Sequence, residues 1–268
     1  MSPSVTCYAQ RSKPKSQRVL EAFAAGAGGR VVETSAQRLE AGAAAFYGVR
    51  PAWRHLWDEA RADGRDWFYL DNAWFDAGRE RFFRVGVNAL QSWSQEPSDG
   101  RRLRELGVKV RDRDPDVGEH IVVCRQSDEF MRCAAGWQGG MLGWQEDVLN
   151  ELKRHTDRLI VVRQKGADKP LEHDLHRAHC LVTHSSAAAV EALISGVPVI
   201  VTDHECAAAR FGMKFEQLER GRALDPDEIA AWAARLADSQ WTLDELRSGA
   251  AWKAIRGRRC AKASIGKA

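Results

Sequence analysis

Apolar and polar positions along the chain follow two alternating rhythms. Short, nearly unbroken apolar runs read as strands: SVTCYA (4–9), RVVET (30–34), AAAFYGV (43–49) and DWFYLDNAWF (66–75). Between them lie stretches with apolar residues at helical spacing, SQRVLEAFAAGAG (16–28) and PAWRHLWDEARADG (51–64), each stopped by glycine. RFFRVGVNAL (82–91) fits neither rhythm cleanly. From 92 to 117 the text turns polar, charged and broken by Pro and Gly, the pattern of a domain boundary or long connection.

Alternation then resumes. HIVVCRQ (120–126), RLIVVRQKG (158–166), HCLVTH (179–184) and VPVIVTD (197–203) read as strands. WQEDVLNELKRHT (144–156), PLEHDLHRA (170–178), SAAAVEALISG (186–196) and PDEIAAWAARLADS (226–239) read as helices, the last opened by Asp225 and Pro226. TLDELRSGAAWKAIRG makes a helical C-terminus. Strands alternating with helices imply parallel βαβ units, and unbroken apolar strands imply sheets covered on both faces. The expected fold is α/β: two Rossmann-like parallel-sheet domains, 1–115 and 116–268, facing a cleft.

Composition narrows the class. A chain of 268 residues suits one large domain or two of roughly 100–150. Apolar content of 44% and charged content of 29% are ordinary for a globular protein, and a net charge of +3 does not indicate a strongly basic nucleic-acid clamp. RSKPK (11–15), RRLRELGVKVRDR (101–113) and IRGRRCAK (255–262) are local basic clusters, more in keeping with solvated faces than with a groove. The six cysteines form no CxxC, and Cys124 and Cys180 lie in apolar runs, which fits a reducing, cytoplasmic compartment. MSPSVTCYAQRSKPK carries no apolar signal core, and no apolar run reaches membrane-spanning length.

The densest candidate chemistry is THSSAAAVEALISGVPVIV (183–201). Thr183, His184, Ser185 and Ser186 fall where a strand meets a helix start, a place where unpaired N–H groups favour anions. The competing reading is that a serine merely caps the helix. Glu191, alone in an apolar helix, needs a partner: a sugar hydroxyl or a structural arginine. Arg163 and Lys165 after one strand, and Arg125, Gln126 and Ser127 after another, are expected on the same rim, with ordinary solvated loops as the alternative. His173, His176 and His179 could place two imidazoles on one face, but the helix is short and no metal site is expected. In YLDNAWF (69–75), Asp71 and Asn72 end a strand; Asp71 is a candidate general base, or the start of an Asx-type turn. Trp67, Phe68, Trp74, Phe75, Phe82 and Phe83 make that neighbourhood aromatic, as a sugar- or base-stacking site or an ordinary core would be.

The 183–201 stretch resembles the donor-binding segment of GT-B glycosyltransferases and related transferases, among them enzymes of capsule-polysaccharide synthesis and CDP-glycerol glycerophosphotransferases. LADSQWTLDELRSGAAW (236–252) looks like the C-terminal helices of small, often phage-borne members. The resemblance covers the last 150 residues or so well and the first 110 poorly. It implies a compact GT-B-like enzyme in which Ser185 and Ser186 receive the donor diphosphate and Glu191 the ribose. It also implies that protein cations, not a metal, neutralise the leaving group. No cofactor is expected beyond a nucleotide-sugar co-substrate, first of all a UDP-sugar. The favoured acceptor is a hydroxymethylated pyrimidine in DNA, with the host cytoplasm as location if the protein is phage-encoded. A surface-glycan or polyol-phosphate transferase, a nucleotide-sugar epimerase, and a non-catalytic nucleotide or nucleic-acid binding module are the alternatives.

Overall fold

The structure is a computed structural model that describes residues 5–10, 12–33, 35–76, 80–112, 118–164, 166–257 and 260–262. Along the chain run β1 (Val5–Ala9), α1 (Pro14–Ala27), β2 (Arg30–Glu33), β3 (Ala43–Tyr47), α2 (Arg54–Ala62), β4 (Trp67–Asn72), β5 (Phe82–Val87) and β6 (Ser92–Ser94). There follow α3 (Arg101–Glu105), β7 (His120–Cys124), α4 (Asp128–Cys133), α5 (Gly140–His155), β8 (Leu159–Arg163), α6 (Leu171–Leu175), β9 (Ala178–Thr183), α7 (Ala188–Ile194) and β10 (Val199–Val201). The chain ends in α8 (Pro226–Ala237), β11 (Gln240–Thr242), α9 (Leu243–Arg247), α10 (Ala250–Gly257) and β12 (Cys260–Lys262). It divides into two compact units, one of residues 1–102 and 235–262, the other chiefly of 103–234.

The first unit is built on a six-stranded sheet of order β11-β5-β4-β3-β1-β2. Strands β2, β1, β3 and β4 are parallel, as expected. Every residue of β1 and β3 is buried, so these strands show no alternation in sequence. Helix α1 starts on Pro14, whose fixed φ suits a first turn, and stops at Gly28 in the left-handed conformation at φ 67°. Its Val19, Leu20 and Phe23 pack in one core with Val5, Cys7, Ala45, Phe68, Leu70 and Phe83.

Three expectations are corrected in this unit. The sheet is not wholly parallel: RFFRVGV forms β5, antiparallel to β4, and β11 is antiparallel to β5. The C-terminal helices, expected in the second domain, belong to the first. Trp241, Leu246, Ala251 and Ile255 complete its core, and α9 packs on α1 where Gly26 leaves no room for a side chain. The stretch 92–117, expected to be a domain boundary or long connection, does contain the division between the units after Arg102, but it is not an unstructured link: it holds β6 and α3, and β6 is buried and pairs antiparallel with β12. Residues 113–117 of that stretch lie outside the described residues.

The second unit is a four-stranded sheet, β10-β9-β7-β8, parallel throughout. Helix α5 lays Trp144, Val148 and Leu152, spaced by four, against Ile121, Val123, Cys180, Val182 and Ile200. Val122, Leu181 and Val199 point to the other face and are fully buried. Helix α7, with buried Ala189, Val190 and Leu193, contacts β9 and β10. Its small residues suit close approach to a sheet. Among the described residues no helix is long and apolar enough to cross a membrane.

Candidate functional site

Strand order places a switch point in the second unit. From β7 the chain passes to β8 on one side and then returns to β9 on the other, so the loops after β7 and β9 diverge. Ligands of open α/β sheets gather at the carboxyl ends of such a strand pair. Here Thr183 is fully buried, and its hydroxyl donates to the Cys124 carbonyl at 2.7 Å, joining the ends of β9 and β7. Thr183 is therefore a tie within the protein.

His184 is 7% exposed and ringed by Phe130, Trp137 and Trp144, with ring centroids 6.0–6.4 Å away. Its Nδ1 lies 2.8 Å from the Thr202 hydroxyl, which also accepts the Trp144 indole N–H at 2.9 Å. Burial lowers the imidazole pKa from its ordinary 6.5, against the pull of Asp203 and with help from His204. A neutral His184 with Nδ1 accepting from Thr202 fits both the depressed pKa and the indole bond. The His184 carbonyl accepts from the Asp203 N–H at 3.1 Å, so the loop after β9 is pinned to the end of β10.

The next residues differ from the expected helix start. Helix α7 begins at Ala188, two residues later than the sequence pattern suggests, and is seven residues long. Ser185 is buried and engaged within the protein. Ser186 is half-buried, and its Oγ accepts from the Ala188 N–H at 3.2 Å, a turn-capping bond. Ser186, Ala187 and Ala188 are half-buried, between buried Ser185 and buried Ala189.

Glu191 is exposed on α7, yet surrounding protein thins the water around its carboxyl and raises its pKa, with Arg163 opposing. Arg163 is held by the Asp174 carboxylate and the Lys169 carbonyl. Burial pushes the Cys124 thiol up to about 12, with Arg163, Asp174 and Glu191 all felt there, so these charges surround the end of β7. Arg125 donates to the Gln145 side chain at 3.0 Å. Ser127 is exposed and caps α4, accepting from the Phe130 N–H at 3.2 Å. Lys165 lies outside the described residues. Sequence reasoning missed Thr202, Trp144 and Gln145, whose link to this corner spans 18 residues or more.

The histidine triplet does not converge: His179 Nε2 lies 2.7 Å from the Leu218 carbonyl inside the core. Among the described residues no group of three or more His, Cys, Asp or Glu is placed to hold a metal.

The first unit has its own switch point, between β1 and β3. Near it Asp71 faces Arg84 across the β4–β5 pair. Its Oδ2 accepts from Arg84 at 3.0 Å and from the Tyr69 hydroxyl at 3.2 Å, and its Oδ1 from the Asn72 N–H at 2.8 Å. Those three bonds fix the Asp71 side chain in place, and Arg84, 8% exposed, depends on it for compensation. Beside it the Asn72 Oδ1 accepts from Lys15 at 2.6 Å and from the Tyr47 hydroxyl at 3.1 Å. Lys15, Tyr47 and Arg84 were not singled out by sequence; each is an ordinary residue of its element until strand pairing brings them together.

No family model matches the chain, and no curated protein matches it. Among solved structures it is similar to Thermosulfurimonas dismutans KpsC, beta Kdo 2,4 transferase, at 17% identity and a TM-score of 0.48 over 88% of this chain and 90% of that one. It is also similar to Thermosulfurimonas dismutans KpsC, beta Kdo 2,7 transferase, at 11% identity and a TM-score of 0.47 over 94% and 99%.

Proposed function

We propose that the protein is a glycosyltransferase of GT-B type, moving a sugar from a nucleotide-activated donor to a hydroxyl acceptor. The observation that carries this reading is the β7/β9 switch point, where half-buried Ser186, Ala187 and Ala188 follow the end of β9 and the Glu191 carboxylate on α7 feels Arg163 at the end of β8. Ser185, Ser186 and the adjoining backbone take the donor phosphates, and Glu191 takes a sugar hydroxyl of the nucleotide. His184 and Thr183 hold the loop in place. Arg163, Lys165 and Arg125 supply positive charge as the bond from the anomeric carbon to the phosphate oxygen breaks. The acceptor oxygen bonds to that carbon and gives its proton to a base, for which Asp71 of the first unit is the candidate. Ser127, spent as a cap, is the weakest of the proposed donor residues.

Of the acceptors considered, hydroxymethylated pyrimidines in DNA draw the least support. Of the basic run from 101, Arg102 is paired with Glu245 and Arg111 with Glu172, which leaves fewer of its charges for phosphates. A glycan or polyol hydroxyl is the better first acceptor. The test is release of nucleotide from a panel of UDP-, GDP- and CMP-sugars, with UDP-sugars tried first, by wild type and by the double variant Ser185→Ala, Ser186→Ala. Release lost in the double variant supports the reading. A protein that binds none of the panel is not a transferase of this kind, and one that binds without turnover is a binding module.

A further inference from the structure

We propose that Lys15, Asn72 and Arg18 of the first unit form a recognition site for an anionic group, a carboxylate or a phosphate, carried by the acceptor. This rests on the transferase reading for the word acceptor, but not for the site itself. Lys15 projects from the first turn of α1 toward the carboxyl ends of β3 and β4. Its ammonium donates to Asn72 Oδ1 at 2.6 Å and to Glu80 Oε1 at 3.0 Å, and lies 5.9 Å from the centre of the buried Phe83 ring. Lysine has three protons, so one remains for a further acceptor.

Asn72 is oriented by the same contacts. Its Oδ1 accepts from both Lys15 and the buried Tyr47 hydroxyl, which leaves the two Nδ2 protons as donors. Arg18, one turn along α1 from Lys15, reaches the second Glu80 oxygen at 3.6 Å. Lys15, Arg18 and Asn72 thus offer cations and donors at this point, while the Asp71 carboxylate and the Arg84 guanidinium, both near the same Tyr47 hydroxyl, are paired with each other. Glu80 supplies the negative charge that answers Lys15 and Arg18. It comes from a residue that is 47% exposed in its side chain and sits at φ 53°, a left-handed conformation unusual for glutamate.

The geometry is that of a carboxylate site filled by the protein's own carboxylate. Tyr47 and Phe83 give it a buried floor, and Glu80 is its displaceable lid group. An incoming carboxylate or phosphate takes the Glu80 position on Lys15 and Arg18 and adds the Asn72 amide, which Glu80 does not use. A neutral hydroxyl gains little there, because it cannot replace the charge that Lys15 loses.

The test is a calorimetric titration of the full chain with glucuronate, methyl phosphate and glucose, with no sugar nucleotide present. Either anion is expected to bind and glucose is not; the tighter anion names the class. Glu80→Gln removes the competing carboxylate from an exposed position and is expected to tighten the anion several-fold. Lys15→Met is expected to weaken it at least tenfold, with Lys15→Arg restoring most of the loss. If Lys15→Met does not fold, Arg18→Met in the Glu80→Gln background reads the same charge. Glucose binding as well as the anions, no tightening in Glu80→Gln, or no anion binding even in that variant overturns the proposal. Nucleotide release measured separately on wild type keeps the two readings apart. Anion binding without release sinks only the transferase, and release with no anion response sinks only this site.

Discussion

The Thr183 hydroxyl reaches the Cys124 carbonyl at 2.7 Å in the core of the second unit, and so joins two strands whose following loops diverge. A valine has the same shape but cannot donate. Thr183→Val should therefore leave a buried carbonyl short of a partner and cost about 1–3 kcal/mol. Thr183→Ser should keep most of that stability. Urea unfolding of the three proteins checks the order; equal midpoints for threonine and valine would show that the tie does not hold the strands.

His184 should make stability depend on pH. Its pKa in the folded protein is depressed below the ordinary 6.5 by burial among aromatic rings. As pH falls below the ordinary value, the unfolded chain takes up the proton first. The contribution of His184 is thus complete above about 6.5 and is lost as pH drops through the folded value. Urea midpoints from pH 7.5 down to 5 should fall more steeply for wild type than for His184→Gln. Parallel curves would mean that the imidazole is as easily protonated folded as unfolded.

Ser186 has a structural job that can be separated from its proposed ligand role. Its turn bond to the Ala188 N–H makes Ser186→Ala worth about 0.5–1.5 kcal/mol of stability, the usual net value of one hydrogen bond. If its hydroxyl also meets the donor phosphates, nucleotide affinity should fall by roughly tenfold, as for one hydrogen bond to a charged group. Calorimetry with the nucleotide alone, beside a thermal melt, separates the two. A stability loss with unchanged affinity leaves only the turn bond.

Asp71 and Arg84 should show a marked asymmetry. Asp71→Asn strands a guanidinium that is almost fully buried, and should cost about 2–3 kcal/mol, below the 3–5 of a wholly buried pair because Asp71 is 27% exposed. Arg84→Met with Asp71→Asn together should recover part of the loss. If Asp71 also serves as base, nucleotide release to an acceptor should collapse in Asp71→Asn beyond what its stability predicts. A double variant no more stable than Asp71→Asn would argue against the pair.

Gly26 tests whether the C-terminal helices are integral to the first unit. A Cβ there would lie 1.9 Å from the Leu246 carbonyl oxygen and 2.7 Å from the Gly249 nitrogen, backbone that cannot step aside. Gly26→Ala should cost about 3 kcal/mol, the upper range of overpacking. Gly64→Ala meets nothing within 4 Å and should cost only about 1 kcal/mol, from its positive φ. Tryptophan-fluorescence melts compare them.

Most parallel elements were legible because their burial is written in their own residues. HIVVC and HCLVT are unbroken apolar runs since both faces of β7 and β9 are covered, and α5 shows Trp144, Val148 and Leu152 at helical spacing. Pairing was not legible. Nothing within RFFRVGV says that it runs antiparallel to β4, because the decisive match is Arg84 with Asp71. β11 is three residues long, and its Gln240 bonds to the Phe75 backbone 165 positions away. At the candidate site the strand end at 183 was visible, while the true start of α7 and the Thr202–Trp144 clamp on His184 depend on neighbours distant in sequence. Lys15 was invisible for the same reason: a cation in a basic run acquires meaning only beside Asn72 and Glu80.

The return of residues 235–257 to the sheet begun by residues 5–9 sets an order on biosynthesis. The stretch that leaves the ribosome first must wait for β11, α9 and α10, whereas the middle of the chain holds all four strands of its own sheet well before then. The interior half can mature while the leading half is still an open, sticky intermediate. Chaperone capture during translation should therefore map to residues 5–102, and release should coincide with emergence of residues 235–257.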